Sequence, residues 1–376
     1  MINFSRSNTG LLAKWWRILD KQIFFCIIIL LFLGLLVSFS STSLIVSERL
    51  DQQSYYFFIK HLIFVLFSIL ILFFISIQDV KTIKKFLIPI FLFLLFLLLL
   101  VPLIGVEVKG SKRWLDFGII PRFQPVELLK PFFILLVAKI LVSEGASDLY
   151  KRYVYSLFAL FAVIFLLINQ PDIGQTLLII FTYGVMIFIS GINLIVLTSV
   201  FLFAVGFIIL IIYLFPNKFG YIVSRIQSFF DPNKGDSFQS QTALNAIKQG
   251  GLTGQGMGEG ILKEKVPEAH TDYIIAVISE EFGTILIFFI IAVFIFIAIK
   301  VVNKVIEAED EFIKLSLMGL MSMLVFQVLI HIGVNIRFLP TTGMTLPFLS
   351  YGGSSLLGSS LMAGIILNFT KKTNYN

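Results

Sequence analysis

Charge is what this chain has least of. Of its 376 residues only 14% are Asp, Glu, Lys or Arg, against roughly a quarter in a soluble domain. So few charges do not cover a water-facing surface of this size, which excludes a soluble globular fold. Cysteine is almost missing too: the single Cys26 excludes a disulfide framework and a thiolate zinc site. The three histidines, His61, His270 and His331, lie far apart with no ligand spacing around them. Internal repeats and soluble domains are lacking, so 1–376 reads as one membrane domain.

In place of charge the chain carries apolar residues. They make up 58% of it, with 42 phenylalanines and a mean hydropathy of +0.97. No core in water needs so much apolar surface, so the solvent is lipid. A bilayer-crossing helix takes about twenty mostly apolar residues. About ten segments fit: 23–41, 57–77, 86–105, 127–143, 154–169, 174–190, 193–215, 274–299, 315–337 and 345–369. The fourth to sixth are short and polar-edged. The fold class is therefore an all-α polytopic membrane protein with a transmembrane region over 22–369. The first run follows a basic flank (Lys14, Arg17, Lys21), as a signal peptide does. It is longer than a usual signal core and has no small-residue cleavage site, so it reads as an uncleaved helix.

Lys and Arg in short loops set the orientation. With a cytoplasmic N-terminus, the inner side collects Arg6, Lys14, Arg17, Lys21, Lys81, Lys84, Lys85, Lys151, Arg152, Lys304, Lys314, Lys371 and Lys372. The short outer loops hold only Arg49, Lys109, Lys112, Arg113 and Arg122. An even number of spans returns the C-terminus to the cytoplasm. The one long loop, 216–273, then lies outside, between the seventh and eighth spans. It balances Lys218, Arg225, Lys234, Lys248, Lys263 and Lys265 against Asp231, Asp236, Glu259, Glu264, Glu268 and Asp272. The net charge of +7 follows from cytoplasmic loops facing anionic membrane lipids, not from a nucleic-acid partner.

This topology puts every polar, motif-like stretch on the outer face: GSKRWLDFGIIPRFQPVELLK (110–130), QPDIGQT (170–176), PEAHTDYI (267–274) and LPTTGMTLPFLSYGGSS (339–355). Ionisable groups at membrane depth are costly and mark function or a partner, so their convergence points to one extracytoplasmic site. Arg113 and Trp114 suit an anionic headgroup beside an interfacial aromatic, or ordinary interfacial anchoring. Glu127 and Lys130, spaced i, i+3, neutralise each other, or Lys130 points at a diphosphate. Asp172 favours a helix cap. Ser350, Gly352 and Ser354 of SYGGSS allow close helix approach, or meet a sugar or phosphate.

Within the long loop, GGLTGQGMGEG (250–260) matches neither the dinucleotide nor the P-loop pattern; it reads as flexible turns around a substrate cleft. Lys263 and His270 precede Asp272, which falls at the membrane boundary as an N-cap of the next helix or as a general base. Glu280 and Glu281 lie about two turns deeper, and adjacent residues point about 100° apart, so at most one faces as Asp272 does. Residue chemistry alone leaves transferase, transporter and channel open.

Five segments in order carry a resemblance: RWLDFG…FQPVELLK, QPDIG, SRIQSFFDP…GGLTGQGMGEG…PEAHTDYI, EEFG and PTTGMTLPFLSYGGSS. They resemble the SEDS family (shape, elongation, division and sporulation). Thr345 in GMTLP, the RIQSFFDP segment and the start WWRILDK look like the division (FtsW-like) branch, with the RodA-like elongation branch as the alternative. Val126 departs from the family, which usually has serine there. The resemblance implies a peptidoglycan glycosyltransferase that polymerises lipid II, an undecaprenyl-diphosphate-linked disaccharide pentapeptide. It implies Asp272 as catalytic base, and Arg113, Lys130, Lys263 or a divalent cation (Mg or Mn) facing the departing diphosphate. It further implies a class B penicillin-binding protein (FtsI-like) and other divisome proteins as partners, and a place in the bacterial inner (cytoplasmic) membrane at the division septum. A lipid II flippase is the rival from another class; it needs a polar path to the inner face, for which Lys60 and His61 are the main candidates.

Overall fold

A computed structural model of the chain describes residues 10–41, 56–108, 111–118, 121–143, 149–195 and 238–371, with isolated positions between 198 and 230. Helices dominate: α1 (Leu11–Ile18), α2 (Lys21–Ser41), α3 (Tyr56–Ile77), α4 (Val80–Ile104), α5 (Pro125–Val142), α6 (Leu149–Asn169), α7 (Ile173–Ile189), α8 (Phe238–Gly250), α9 (Ile274–Glu307), α10 (Glu311–Asn335) and α11 (Gly353–Phe369). A short hairpin, β1 (Val106–Val108) and β2 (Ser111–Trp114), follows α4.

Six helices (α2, α3, α4, α6, α9 and α10) are long and apolar enough to cross a bilayer. Their outward side chains are large and greasy, Phe67, Phe93, Leu103 and Phe288 among them, as lipid requires and water forbids. The chain is a multi-pass membrane protein. The predicted segments coincide with helices except at two places. Segment 193–215 lies largely outside the described residues. The last helix starts at Gly353 instead of 345, because Pro347 and the left-handed Phe348 (φ 66) interrupt any earlier helix.

α11 is the centre of the bundle. Its small residues let neighbours approach closely: a Cβ on Gly353 would stand 2.5 Å from the Phe64 ring of α3, and one on Gly364 would stand 2.9 Å from Ile75. At its far end Asn368 donates to the carbonyls of Ile75 (2.9 Å) and Gln78 (2.6 Å), closing the last turn of α3. At the start of the chain, α1 lies against the same end of α3, with the Trp15 indole donating to the Ser76 hydroxyl at 2.9 Å.

α9 is not one continuous helix. Gly283 (φ 81, ψ 172) breaks it, and the broken ladder is completed from the long loop. The Gln255 and Gly256 amides donate to the Glu280 and Glu281 carbonyls (2.8 and 3.0 Å). The Thr284 and Ile285 amides donate to the Gly251 and Leu252 carbonyls (3.1 and 3.3 Å). A buried backbone group must find a partner, and glycine-rich loop 250–256 supplies it. This corrects the expectation for residues 250–260: they plug a helix break and do not line a cleft. α8, also unforeseen, buries Ala243 and Ala246 against Tyr273 and Ala276 and so presses the loop onto the short arm Ile274–Phe282.

Candidate functional site

A cavity of about 600 Å³ opens where several distant segments meet, among them the start of α8 with Gln239 and Ser240. β2 contributes Arg113 and Trp114, and the first turn of α5 contributes Glu127. The turn before α9 brings Glu268, Thr271 and Asp272. The stretch from Arg337 to Thr345 and the start of α11, with Gly352 and Ser354, complete the wall.

Asp272 is aimed by its own backbone. Its amide donates to the Glu268 carbonyl (3.0 Å), and its carbonyl accepts from the Asn335 side chain (3.1 Å). Its carboxylate lies against Gly343, whose Cβ, if present, would be 3.5 Å from Oδ2. The capping alternative does not hold: the N-cap of α9 is Tyr273, with no side-chain cap. Asp172, in contrast, does cap its helix, accepting from the Gln175 amide at 3.4 Å.

The hairpin charges are anchored one by one. Arg113 donates to the carbonyls of Gln170 (3.4 Å) and Pro171 and lies 3.8 Å from Asp172. Burial pushes the Asp172 carboxyl up, and Arg113 opposes that shift. Outside, Arg122 pairs with Asp116 at 2.7 Å and, with the Gly118 amide, holds that carboxyl below its ordinary range. Glu107 faces Lys112 across the strands. Arg113 and Arg122 thus each find partners within the protein.

Glu127 and Lys130 form a fully buried pair at 2.7 Å. Glu127 also accepts from Gln175 (2.5 Å) and reaches the cavity, whereas Lys130 stands behind it. Lys263 is not brought to the cavity either. It is buried against Glu281 and the Ser40 carbonyl (3.2 Å), while Glu280 accepts from the Leu262 and Lys263 amides (2.7 and 2.6 Å). Both glutamates thus serve the loop, not the cavity. The His270 ring packs between Phe57 (5.1 Å between centroids) and Tyr351 (5.6 Å), so it backs the wall without forming it. Ser350 donates to the Thr271 carbonyl (2.7 Å) and accepts from the Leu346 amide (2.9 Å), which makes it a brace. Val126 is buried.

A row on α10 escaped the sequence reading. Gln327, His331 and Asn335 recur every fourth residue and so share one face. Gln327 accepts from Lys130 (3.3 Å) and donates to the Thr345 carbonyl (3.1 Å). His331 Nδ1–H donates to the Met344 carbonyl (2.7 Å), and Asn335 reaches Asp272. The row therefore ties the Lys130 cation to the Asp272 turn through the irregular stretch at Met344 and Thr345. Its signal was available: three polar groups recurring every fourth residue in an otherwise apolar helix are costly and mark a partner. Arg337, just past that helix, was also passed over. Among the described residues no three His, Cys, Asp or Glu side chains converge to hold a metal ion.

Fold and cavity together define a multi-pass membrane protein with one polar, carboxylate-bearing pocket. A family model described as cell cycle protein, that of FtsW, RodA and SpoVE, matches residues 20–375, and the chain belongs to this family. The probable peptidoglycan glycosyltransferase FtsW of Caulobacter vibrioides is 32% identical over 372 residues, covering 98% of this chain and 93% of that one. The Haemophilus influenzae protein of the same name is 35% identical, with 94% and 92% covered. In three dimensions the chain is similar to a component of a peptidoglycan synthase complex described as coordinating polymerization and crosslinking. There the TM-score is 0.75 at 25% identity, covering 94% of this chain and 97% of that one.

Proposed function

We propose that this chain is an FtsW-like peptidoglycan glycosyltransferase that polymerises lipid II into septal glycan strands. The observation that carries the proposal is the placement of Asp272 in the wall of a cavity that also presents Arg113, Trp114, Glu127 and Ser354. The names of the FtsW relatives support the activity.

In the reaction, the 4-hydroxyl of one substrate's GlcNAc attacks the anomeric carbon of another's MurNAc. Asp272 takes the hydroxyl proton as the new C–O bond forms. The bond to the diphosphate breaks on the opposite face, and the sugar inverts to a β-1,4 link. A proton acceptor so placed is worth about 10²–10⁴-fold in rate. Fixed positive charge eases departure of the diphosphate, and Arg113, immobilised by the Gln170 and Pro171 carbonyls, is positioned to supply it. Glu127 and Lys130 form a polar floor. Ten spans with both termini cytoplasmic fit the loop charges and place the cavity outside the bacterial inner membrane. A class B penicillin-binding protein as partner is supported by the neighbouring synthase complex.

The test is Asp272→Asn. Insertion and lipid II binding are expected near wild type, with strand formation from labelled lipid II lost on gels. Wild-type polymer from this variant would remove Asp272 from the chemistry. A native protein that makes no polymer with its partner, yet moves lipid II across vesicles, would replace the polymerase with a transporter.

A further inference from the structure

Two of the three basic groups foreseen for the site are neutralised within the protein, and the third is fixed in place. Lys130 is paired with Glu127 and Lys263 with Glu281, and Arg113 is held by two carbonyls beside Asp172. Arg337 is different. It lines the cavity, and among the described residues its only side-chain partner is the neutral amide oxygen of Gln241, with no carboxylate within ion-pair distance. Among the described residues nothing neutralises this guanidinium, and most of its donors are uncommitted.

Its backbone adds a second observation. Arg337 follows the last residues of α10 at φ 57. Its amide donates to the Val334 carbonyl (3.1 Å) and the next amide to the Gly333 carbonyl (2.7 Å). This is the helix-ending position where glycine is the usual occupant, because a side chain there is strained. The chain keeps an arginine at a strained position in the cavity wall, and such outliers gather at functional sites.

We propose that Arg337 is a substrate-binding residue whose guanidinium takes an anionic group of the lipid-linked substrate, a phosphate or a carboxylate of the peptide stem. Paired oxygens of either group match the two-pronged donor face of arginine. This inference rests on the substrate class proposed above. The ordinary alternative is a cation set against the helix dipole, and the two differ in sign. Removing a dipole partner destabilises the fold, whereas removing a strained side chain leaves stability unchanged or raises it.

The experiment uses Arg337→Gly, which relieves the backbone, and Arg337→Asn, which tolerates the left-handed region, in the full-length purified protein. Equilibrium binding is measured for undecaprenyl diphosphate, for lipid II, and for lipid II with amidated stem carboxylates, alongside thermal stability. Both variants are expected to melt no lower than wild type and to bind lipid II about tenfold or more weakly, the scale of a lost charge-assisted contact. Weakening that extends to undecaprenyl diphosphate assigns the phosphate; weakening confined to unamidated lipid II assigns the carboxylate. Unchanged binding of all three probes, or a lower melting temperature with unchanged binding, overturns the proposal. Binding is read without turnover, so a chain that binds these probes but makes no polymer would defeat the polymerase and leave Arg337 standing. A polymerase whose binding and KM ignore Arg337→Gly would do the reverse.

Discussion

Gly283→Ala tests how the long loop holds the short helical arm that follows Asp272. A Cβ at 283 would overlap the Leu252 carbonyl and stand 2.6 Å from the Gly254 nitrogen. Both are backbone, so no side chain can swing aside and the loop itself has to move. At φ 81 alanine costs about 1–2 kcal/mol before any contact is counted. Displacing the loop also breaks the hydrogen bonds from Gln255, Gly256, Thr284 and Ile285 across the break, at about 0.5–1.5 kcal/mol each. The total is on the order of 3–8 kcal/mol. Gly258→Ala is the matched control, since φ is 87 there and nothing lies within 4 Å, so only the backbone cost applies, about 1–2 kcal/mol. The assay is thermal unfolding in detergent together with hydrogen exchange over residues 250–262. Gly283→Ala should melt well below the control, exchange faster in that window and lose polymerisation as the Asp272 arm loosens. If the two variants behaved alike, the plug between loop and helix break would be refuted.

The buried Glu127–Lys130 pair predicts a non-additive cycle. Lys130→Met or Glu127→Gln alone should cost about 3–5 kcal/mol, and the double variant clearly less than their sum; strictly additive melting shifts would argue against the pair. Asn335→Leu should cost about 1–3 kcal/mol and, by releasing the Asp272 carbonyl, lower kcat more than it raises KM. Equal kinetics would show that Asn335 positions nothing. Reporter tags after residues 150 and 308 should read cytoplasmic, and a tag near 240 periplasmic. A cytoplasmic signal at 240 would turn the cavity to the wrong side of the membrane.

What could be known without coordinates follows from local physics. Lipid solvation requires long apolar runs, so α2, α3, α4, α9 and α10 were visible as such. The cap at Asp172 was legible because a cap spans only a few residues. Three of the four polar stretches singled out in the sequence do meet at one cavity, 170–176 being absent from its lining, whereas the role expected of Asp272 rested on the family resemblance. What tertiary structure alone decided is which charges remain available inside that cavity. Lys130, Lys263 and Arg113 are equally basic on paper, yet folding pairs Lys130 with Glu127 one turn away and Lys263 with Glu281 beside a helix break, and fixes Arg113 on a turn between α6 and α7 with its charge facing the cavity wall. Likewise a glycine-rich loop looks flexible in sequence, and becomes a plug only when the carbonyls of Glu280 and Glu281 lose their helical partners at Gly283. Spans are dictated by each segment's own contact with lipid, whereas the electrostatics of the site depend on partners that are distant in the chain and are set only by packing.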